Sequence, residues 1–381
     1  MTMPVTPNES LWAGAGGEPA GFAIIGTGYR TEYFLQIAAA LPDRLRVTAL
    51  LGRNTERAAE LAERYRVPIV DDFETLVRSR PAFVLVCVAW GPTPDFIRQA
   101  VAAGLPVLSE TPPAPDPDGL RQLWSDVGST APVQVAEQYQ FQPMHAARIA
   151  LARSGLLGNP QAAHSWHCHG YHGVSLLRIL LGATGIDAKV QGFTSSEKVL
   201  SRPGRGDEST PLAETDATRT FARFDFGDRY GIFEFDGTQY WSPIRSRGIA
   251  VRGTRGELVT NDVRWFADDG SPRTATLVRQ DGGLDGDMTA HALWRITCAG
   301  ETVYTNPVAP ARLHDDEIAG AETLGRMVTF ANTGRPFYPL ADGCQDHYLS
   351  MLMDEASSGG QVVKAEPQPW ADSLMVGTDP S

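Results

Sequence analysis

Four histidines, His164, His167, His169 and His172, fall inside the segment Ala163-His-Ser-Trp-His-Cys-His-Gly-Tyr-His172. An imidazole titrates near pH 6.5 when unperturbed, so it can take up and return a proton at neutral pH. His172 is the leading candidate for such work, and His169 stands in reserve. Along an extended strand, His167 and His169 share one face, while His164 and Cys168 share the other. That geometry divides the potential metal ligands, and the spacing matches no usual zinc pattern, so no metal site is expected. The competing reading is an ordinary packed histidine, and for His164 it is the better one.

A second chemical feature precedes it: Phe22-Ala-Ile-Ile-Gly-Thr-Gly-Tyr-Arg-Thr31. An apolar run ends in Gly26-Thr27-Gly28, and apolar positions Phe34, Ile37, Ala38 and Leu41 then recur at helical spacing. Gly26 permits a tight turn, and Gly28 leaves room for a pyrophosphate. The N–H groups at the helix start, around Tyr29 and Arg30, favour an anion. The third glycine of the usual dinucleotide fingerprint is replaced by Thr31. By itself the motif also fits a strand–turn–helix junction with no ligand.

These residues need a scaffold. A second strand, Leu45–Leu51, is followed by Gly52-Arg53-Asn54 and a helix. An NAD site usually ends this strand in a carboxylate that holds the ribose 2′-OH. Its absence, with Arg53 and Asn54 alongside, favours a 2′-phosphate, hence NADP, with NAD still open; the bland reading of Arg53 is a solvated loop residue. Pro68–Val70 predicts a short strand, with Asp72 capping the next helix. Ala82–Val88 is the continuous apolar run of a strand covered on both faces. Thr93 and Pro94 predict a helix start with Thr93 as its cap. Strands at 106–109 and 133–136 enclose a helix begun by Asp116-Pro117. The alternation predicts a doubly wound parallel sheet, with ligands beyond the carboxyl ends of its strands. Gly26, Arg53, Ala89, Trp90, Glu110, Thr111 and Gln138 then surround one crevice.

The chain has 381 residues, with 42% hydrophobic and 20% charged residues, and a formal net charge of −12. That balance predicts a globular protein with no general attraction to nucleic acid or anionic membrane. No apolar run is long enough for a bilayer span. Four scattered cysteines, with no C-x-x-C pair, predict reduced thiols and a cytoplasmic setting. Residues 1–19 lack the apolar run of a secretory signal and predict a flexible lead-in. A nucleotide domain is expected over 20–140, an α+β domain over 141–357, and a tail over 358–381 that is mobile or laid along a partner subunit. Ser201 to Glu214 predicts a polar loop. Tyr240-Trp241 predicts either stacking on substrate or ordinary packing.

Several stretches together resemble the glucose–fructose oxidoreductase / inositol dehydrogenase (Gfo/Idh/MocA) family. They are Ala102-Ala-Gly-Leu-Pro-Val-Leu-Ser-Glu-Thr-Pro112, Val135-Ala-Glu-Gln-Tyr-Gln-Phe-Gln-Pro143, Gly170–Gly182, Ile249–Leu258 and Phe337–Leu349. The resemblance implies an NAD(P)-dependent oxidoreductase acting on a hydroxyl or carbonyl of a small polar substrate such as a sugar or cyclitol. It implies a Rossmann domain followed by an α+β domain with a large, mainly antiparallel open sheet. That sheet would form a homodimer or homotetramer. The family's Glu-Lys-Pro is Glu110-Thr111-Pro112 here, so Thr111 replaces a lysine that stabilises alkoxide charge. Two family aspartates fall on Cys168 and Ser175, and of the customary trio only His172 remains. Leu50–Ala62 is loosely similar to thiazolinyl imine reductases, which also lack that lysine and prefer NADPH. An imine reductase of the same fold and an inactive dinucleotide-binding regulator are therefore the alternatives.

Overall fold

The computed structural model describes residues 11–12, 17–202, 210–283 and 291–376. Most of the expected lead-in therefore lies outside the described residues, as does the centre of the expected 201–214 loop. Strands and helices first alternate. They are β1 (Ala20–Ile25), α1 (Tyr29–Ala40), β2 (Leu45–Leu51), α2 (Thr55–Tyr65), β3 (Ile69–Val70) and α3 (Phe73–Arg78). Next come β4 (Phe83–Val86), α4 (Thr93–Ala102), β5 (Val107–Ser109), α5 (Pro117–Val127) and β6 (Val133–Val135).

All six strands pair in parallel, in the order β3-β2-β1-β4-β5-β6. Strand order reverses at the β1–β4 junction, where open α/β sheets form their ligand crevice. Phe22 of β1 stacks on Phe83 of β4, with ring centroids 5.2 Å apart. Both strands are covered on both faces, which is why they are unbroken apolar runs. Asp72 and Asp116 cap α3 and α5, accepting from the N–H groups of Thr75 and Gly119. Thr93 does not cap α4. Pro92 takes that position, and the Thr93 hydroxyl donates back to the Ala89 carbonyl at 3.1 Å.

A 3-10 turn, Tyr139–Phe141, leads into α6 (Pro143–Arg153), β7 (Pro160–Ser165) and α7 (Gly170–Leu181). The remaining strands begin with β8 (Lys189–Ser201), β9 (Ala213–Asp225), β10 (Tyr230–Phe235) and β11 (Ile249–Gly253). They continue with β12 (Gly256–Val259), β13 (Asp262–Phe266), β14 (Pro272–Gly282), β15 (Ala292–Cys298) and β16 (Glu301–Thr305). Two long helices, α8 (Asp315–Thr333) and α9 (Leu340–Gly359), precede β17 (Val363–Lys364). The second sheet runs β16-β15-β14-β13-β12-β11-β7-β10-β9-β8-β17 and is antiparallel except for the β7–β10 pair. The expected fold, a Rossmann domain joined to an α+β domain with a large open sheet, is the fold observed.

The two halves are stitched together next to the crevice. The Gln134 amide oxygen of β6 accepts from the N–H groups of Phe337 and Tyr338, each at 2.9 Å. Helix α8 lies against α1, where a Cβ on Gly320 would meet the Tyr33 hydroxyl at 2.4 Å. Tyr33 donates to the Asp316 carbonyl at the same junction.

The expected tail does not hang free. Its β17 pairs with β8, and the Trp370 indole is fully buried, donating to Gln345 Oε1 at 2.8 Å. The N–H groups of Met375 and Val376 bind the buried carboxylate of Asp342. Residues up to Val376 therefore pack on their own chain, driven by indole burial and by amides that need acceptors. Among the described residues no helix is long and apolar enough to cross a membrane.

Candidate active site

The crevice at the carboxyl ends of β1, β2 and β4 has a volume of about 720 Å³. Gly26, at the end of β1, has φ +125°, and a Cβ there would meet the Cys87 carbonyl oxygen at 2.0 Å. Only glycine fits that turn. Gly28 is the residue before α1, and a Cβ built on it meets nothing within 4 Å. The helix N-terminus thus faces open space, with N–H groups and dipole available to a diphosphate. Thr27, Tyr29, Arg30, Arg53, Asn54, Ala89, Trp90, Glu110 and Thr111 line the same cavity. These residues fit a dinucleotide.

Three of them carry further duties. The Asn54 side chain caps α2, accepting from Arg57 N at 3.0 Å. Arg30 lies 2.8 Å from Glu110, 4.1 Å above the Tyr33 ring and 4.0 Å from Asp316, so it ties β5 to α8. Thr27 packs on Gly52, where a Cβ would meet its methyl at 2.2 Å. Gln138 departs from expectation. It is buried, does not line the crevice, and precedes the 3-10 turn at Tyr139. The residue beside it carries the contact instead.

That residue is Glu137, just past the end of β6. Its Oε2 lies 2.6 Å from Nδ1 of His172, and its Oε1 accepts from Tyr139 N at 3.2 Å. His172 sits in the first turn of α7, with 6% exposure. Burial pushes the Glu137 carboxyl well above the ordinary carboxylate range and lowers the His172 imidazole to about 3. The unperturbed value assumed from sequence therefore does not apply. The pair favours forms that avoid a buried imidazolium.

A wall of rings surrounds His172. Tyr171 and Tyr139 lie 4.5 Å from it and His169 lies 5.1 Å away, centroid to centroid. Tyr171 touches His347 at 5.6 Å, and His347 touches Trp90 of the nucleotide crevice at 6.0 Å. The Thr111 side chain lies beside that of Tyr171. Rings therefore run without a break from the crevice mouth to His172. The Tyr240 hydroxyl lies 2.7 Å from His169 Nδ1, so Tyr240 belongs to this wall as well.

The shared strand face expected for His167 and His169 does not form. Pairing of β7 with β10 and β11 stops at Ser165, so both histidines lie in the loop beyond it. The ring of His167 sits 4.2 Å from that of His145, and His164 stays in the strand, 3.5 Å from Glu234. Among the described residues no group of three or more His, Cys, Asp or Glu is placed to hold a metal.

Glu137, Tyr139 and Tyr171 were not singled out from sequence. Glu137 had one available signal, its place directly after a predicted strand.

Comparison with known proteins bears on this geometry. Residues 20–135 match the model of an oxidoreductase family with an NAD-binding Rossmann fold. Over that stretch the chain is similar to this family. An inositol 2-dehydrogenase of Pseudomonas fluorescens is 26% identical over 149 residues, 38% of this chain and 44% of the relative. The match thus spans less than half of that relative's length. Among solved structures, an oxidoreductase from Agrobacterium radiobacter in complex with NAD+, L-tartaric acid and magnesium superposes with a TM-score of 0.66. It is 15% identical over 91% of this chain and 98% of its own. A myo-inositol dehydrogenase from Corynebacterium glutamicum gives 0.62 at 16% identity, over 92% and 99%. A levoglucosan dehydrogenase in complex with NADH and L-sorbose gives 0.63 at 16% identity, over 92% and 100%. At these identities the likeness is one of fold.

Proposed function

We propose that this chain is an NAD(P)-dependent oxidoreductase acting on a hydroxyl or carbonyl carbon of a small polar substrate such as a sugar or cyclitol. The observation that carries the reading is the His172–Glu137 contact at 2.6 Å, beside a crevice shaped for a dinucleotide. When bound, the nicotinamide supplies the two-electron hydride acceptor or donor. The protein supplies position and the proton. Gly26, Gly28 and the start of α1 would hold the diphosphate, with Ala89, Trp90 and Thr111 lining the rest of the same crevice.

Glu137 engages Nδ1 of His172, which leaves Nε2 for the substrate oxygen. In alcohol oxidation, starting from ionised Glu137, the hydroxyl proton passes to Nε2 and the proton on Nδ1 passes to Glu137, a transfer favoured by the burial that raises the Glu137 carboxyl. Both groups end neutral, so no charge is stranded in the buried site. Reduction runs the same transfers backwards. Thr111 and Tyr171 take the place of the family lysine with neutral hydroxyls. His169, braced by Tyr240, borders the same space.

Arg53 and the missing carboxylate at Gly52 support NADP over NAD. Exposed Phe193, Val278 and Trp294 on the open sheet support homo-oligomer formation there. The activity is tested by following absorbance at 340 nm with both cofactors over polyols, glycosides, ketones and cyclic imines. Turnover of a hydroxyl or carbonyl substrate supports the reading. Turnover of cyclic imines alone would replace it with an imine reductase. Cofactor binding with no turnover on any class would make the chain a nucleotide-binding regulator.

A further inference from the structure

Beyond the histidine wall lies a second cavity of about 1160 Å³, between α6, the loop carrying Tyr240, and the segment leading into α8. It shares Tyr29 with the nucleotide crevice and Tyr139 and Tyr240 with the wall around His169 and His172. The cavity therefore has room for the far end of a molecule whose reacting carbon faces His172.

The charges lining this cavity are unevenly matched. Its acidic groups have partners: Asp315 pairs with Arg279 at 2.6 Å, and Asp281 lies 3.6 Å from the same guanidinium. Asp316 accepts from Gln142 at 3.0 Å, and Glu317 closes a capping box with His314 at the start of α8. Several cations lack such matches. Arg148 is 7% exposed, and its hydrogen bonds all go to neutral groups: the Thr260 carbonyl, Asn261 Oδ1 and His145 Nδ1. Among the described residues no carboxylate lies within ion-pair distance of Arg148, Arg247 or Arg312. Arg247 lies 5.6 Å over the Tyr240 ring, against the residue that braces His169. Nδ1 of His167, on the same lining, is buried with no hydrogen-bond partner.

A buried guanidinium without a counter-ion is costly, and proteins seldom keep one without use. Burial, with Arg247 and Arg148 adding to it, pushes His167 down to about 3.

Resting on the oxidoreductase reading, we propose that this cavity is an oxyanion subsite, and that the substrate carries a carboxylate or phosphate held by Arg148 and Arg247. A planar guanidinium presents paired donors suited to either group, and His167 adds a further polar atom. The reacting hydroxyl or carbonyl carbon then lies toward His172, and the anionic end away from the nicotinamide. The substrate class narrows from neutral polyols to sugar acids or sugar phosphates.

The test is equilibrium binding by calorimetry to the full-length protein holding reduced cofactor, which cannot oxidise the hydroxyl-bearing probes. The probes are D-gluconate, D-glucose 6-phosphate and neutral D-sorbitol. One charge-assisted contact predicts about ten-fold or greater preference for an anionic probe over sorbitol. Arg247→Gln, at an exposed position that the fold tolerates, removes that preference while cofactor affinity stays unchanged. A gluconate preference assigns a carboxylate, and a glucose 6-phosphate preference assigns a phosphate. Equal binding of all three probes, or a preference that survives in Arg247→Gln, overturns the subsite. Binding is read without turnover, so the two readings fail separately. Anion preference without hydride transfer leaves the subsite standing, whereas turnover of neutral polyols with no anion preference leaves only the reaction.

Discussion

Nδ1 of His172 and Oε2 of Glu137 stand 2.6 Å apart, joining the first turn of α7 to the carboxyl end of β6. On the proposed reading, the contact leaves Nε2 for a substrate and gives the proton a second place to rest. Glu137→Gln preserves the shape but removes that place. Turnover should fall by about 10²- to 10⁴-fold, the usual worth of positioned acid–base chemistry. Cofactor affinity by fluorescence titration should stay within error. Unaltered turnover in Glu137→Gln would reduce the residue to packing.

Acid stability follows from the buried imidazoles. Burial holds His145 well below its ordinary value and His172 near 3. Their unfolded values lie near 6.5, so the unfolded chain takes up protons first as pH falls. The stability from keeping them neutral is present above about pH 6.5 and is lost progressively towards pH 3. The melting temperature should drop across that window, and His145→Asn should flatten the decline. An identical slope in the variant would show that His145 contributes nothing to it.

The proposed NADP preference rests on Gly52 and Arg53. With Arg53 beside it and no carboxylate, NADP should bind more tightly than NAD, and Arg53→Ala should narrow the gap. Equal affinities for the two cofactors would remove the argument. The Thr27 methyl occupies the space that a side chain at 52 needs. Gly52→Asp alone should therefore weaken both cofactors. The pair Thr27→Ala with Gly52→Asp should recover binding and turn it towards NAD. Failure of the pair to shift the NAD/NADP ratio would show that the ribose is read elsewhere.

The C-terminal segment is part of the fold. Trp370 is buried against Trp124 and Tyr348, and its indole N–H is satisfied by Gln345. Trp370→Ala should cost about 3 to 5 kcal/mol, the range for losing a large buried aromatic. Chemical denaturation would show this as a lower midpoint. A midpoint within error of the parent would mean that the tail docks only weakly.

Local physics explains what the sequence disclosed. The alternation of buried strands with capped helices is written in neighbouring residues, as in the Phe83–Val86 run or Asp116 with Gly119. The glycine turn was legible because backbone shape at Gly26 admits no side chain. The place of His172 in the first turn of an apolar helix was legible from the pattern after it. Glu137 was not assigned, because its partner lies 35 residues away and only the approach of two domains brings them together. Gln138 was expected at the crevice because it lies beyond the carboxyl end of β6, but the chain turns into a 3-10 helix there and buries it. The positions of His167 and His169 depended on where the neighbours of β7 end, a property of β10 and β11. Docking of Trp370 likewise depended on Gln345 and Tyr348, which local pattern does not connect to it.

The most direct measurement compares His172→Gln with the parent protein, pairing cofactor binding by fluorescence titration with the 340 nm rate on the best substrate found. The account predicts an unchanged dissociation constant and a rate lower by about 10²-fold or more. A rate equal to that of the parent would contradict it, because the proton would then be moving through some other group.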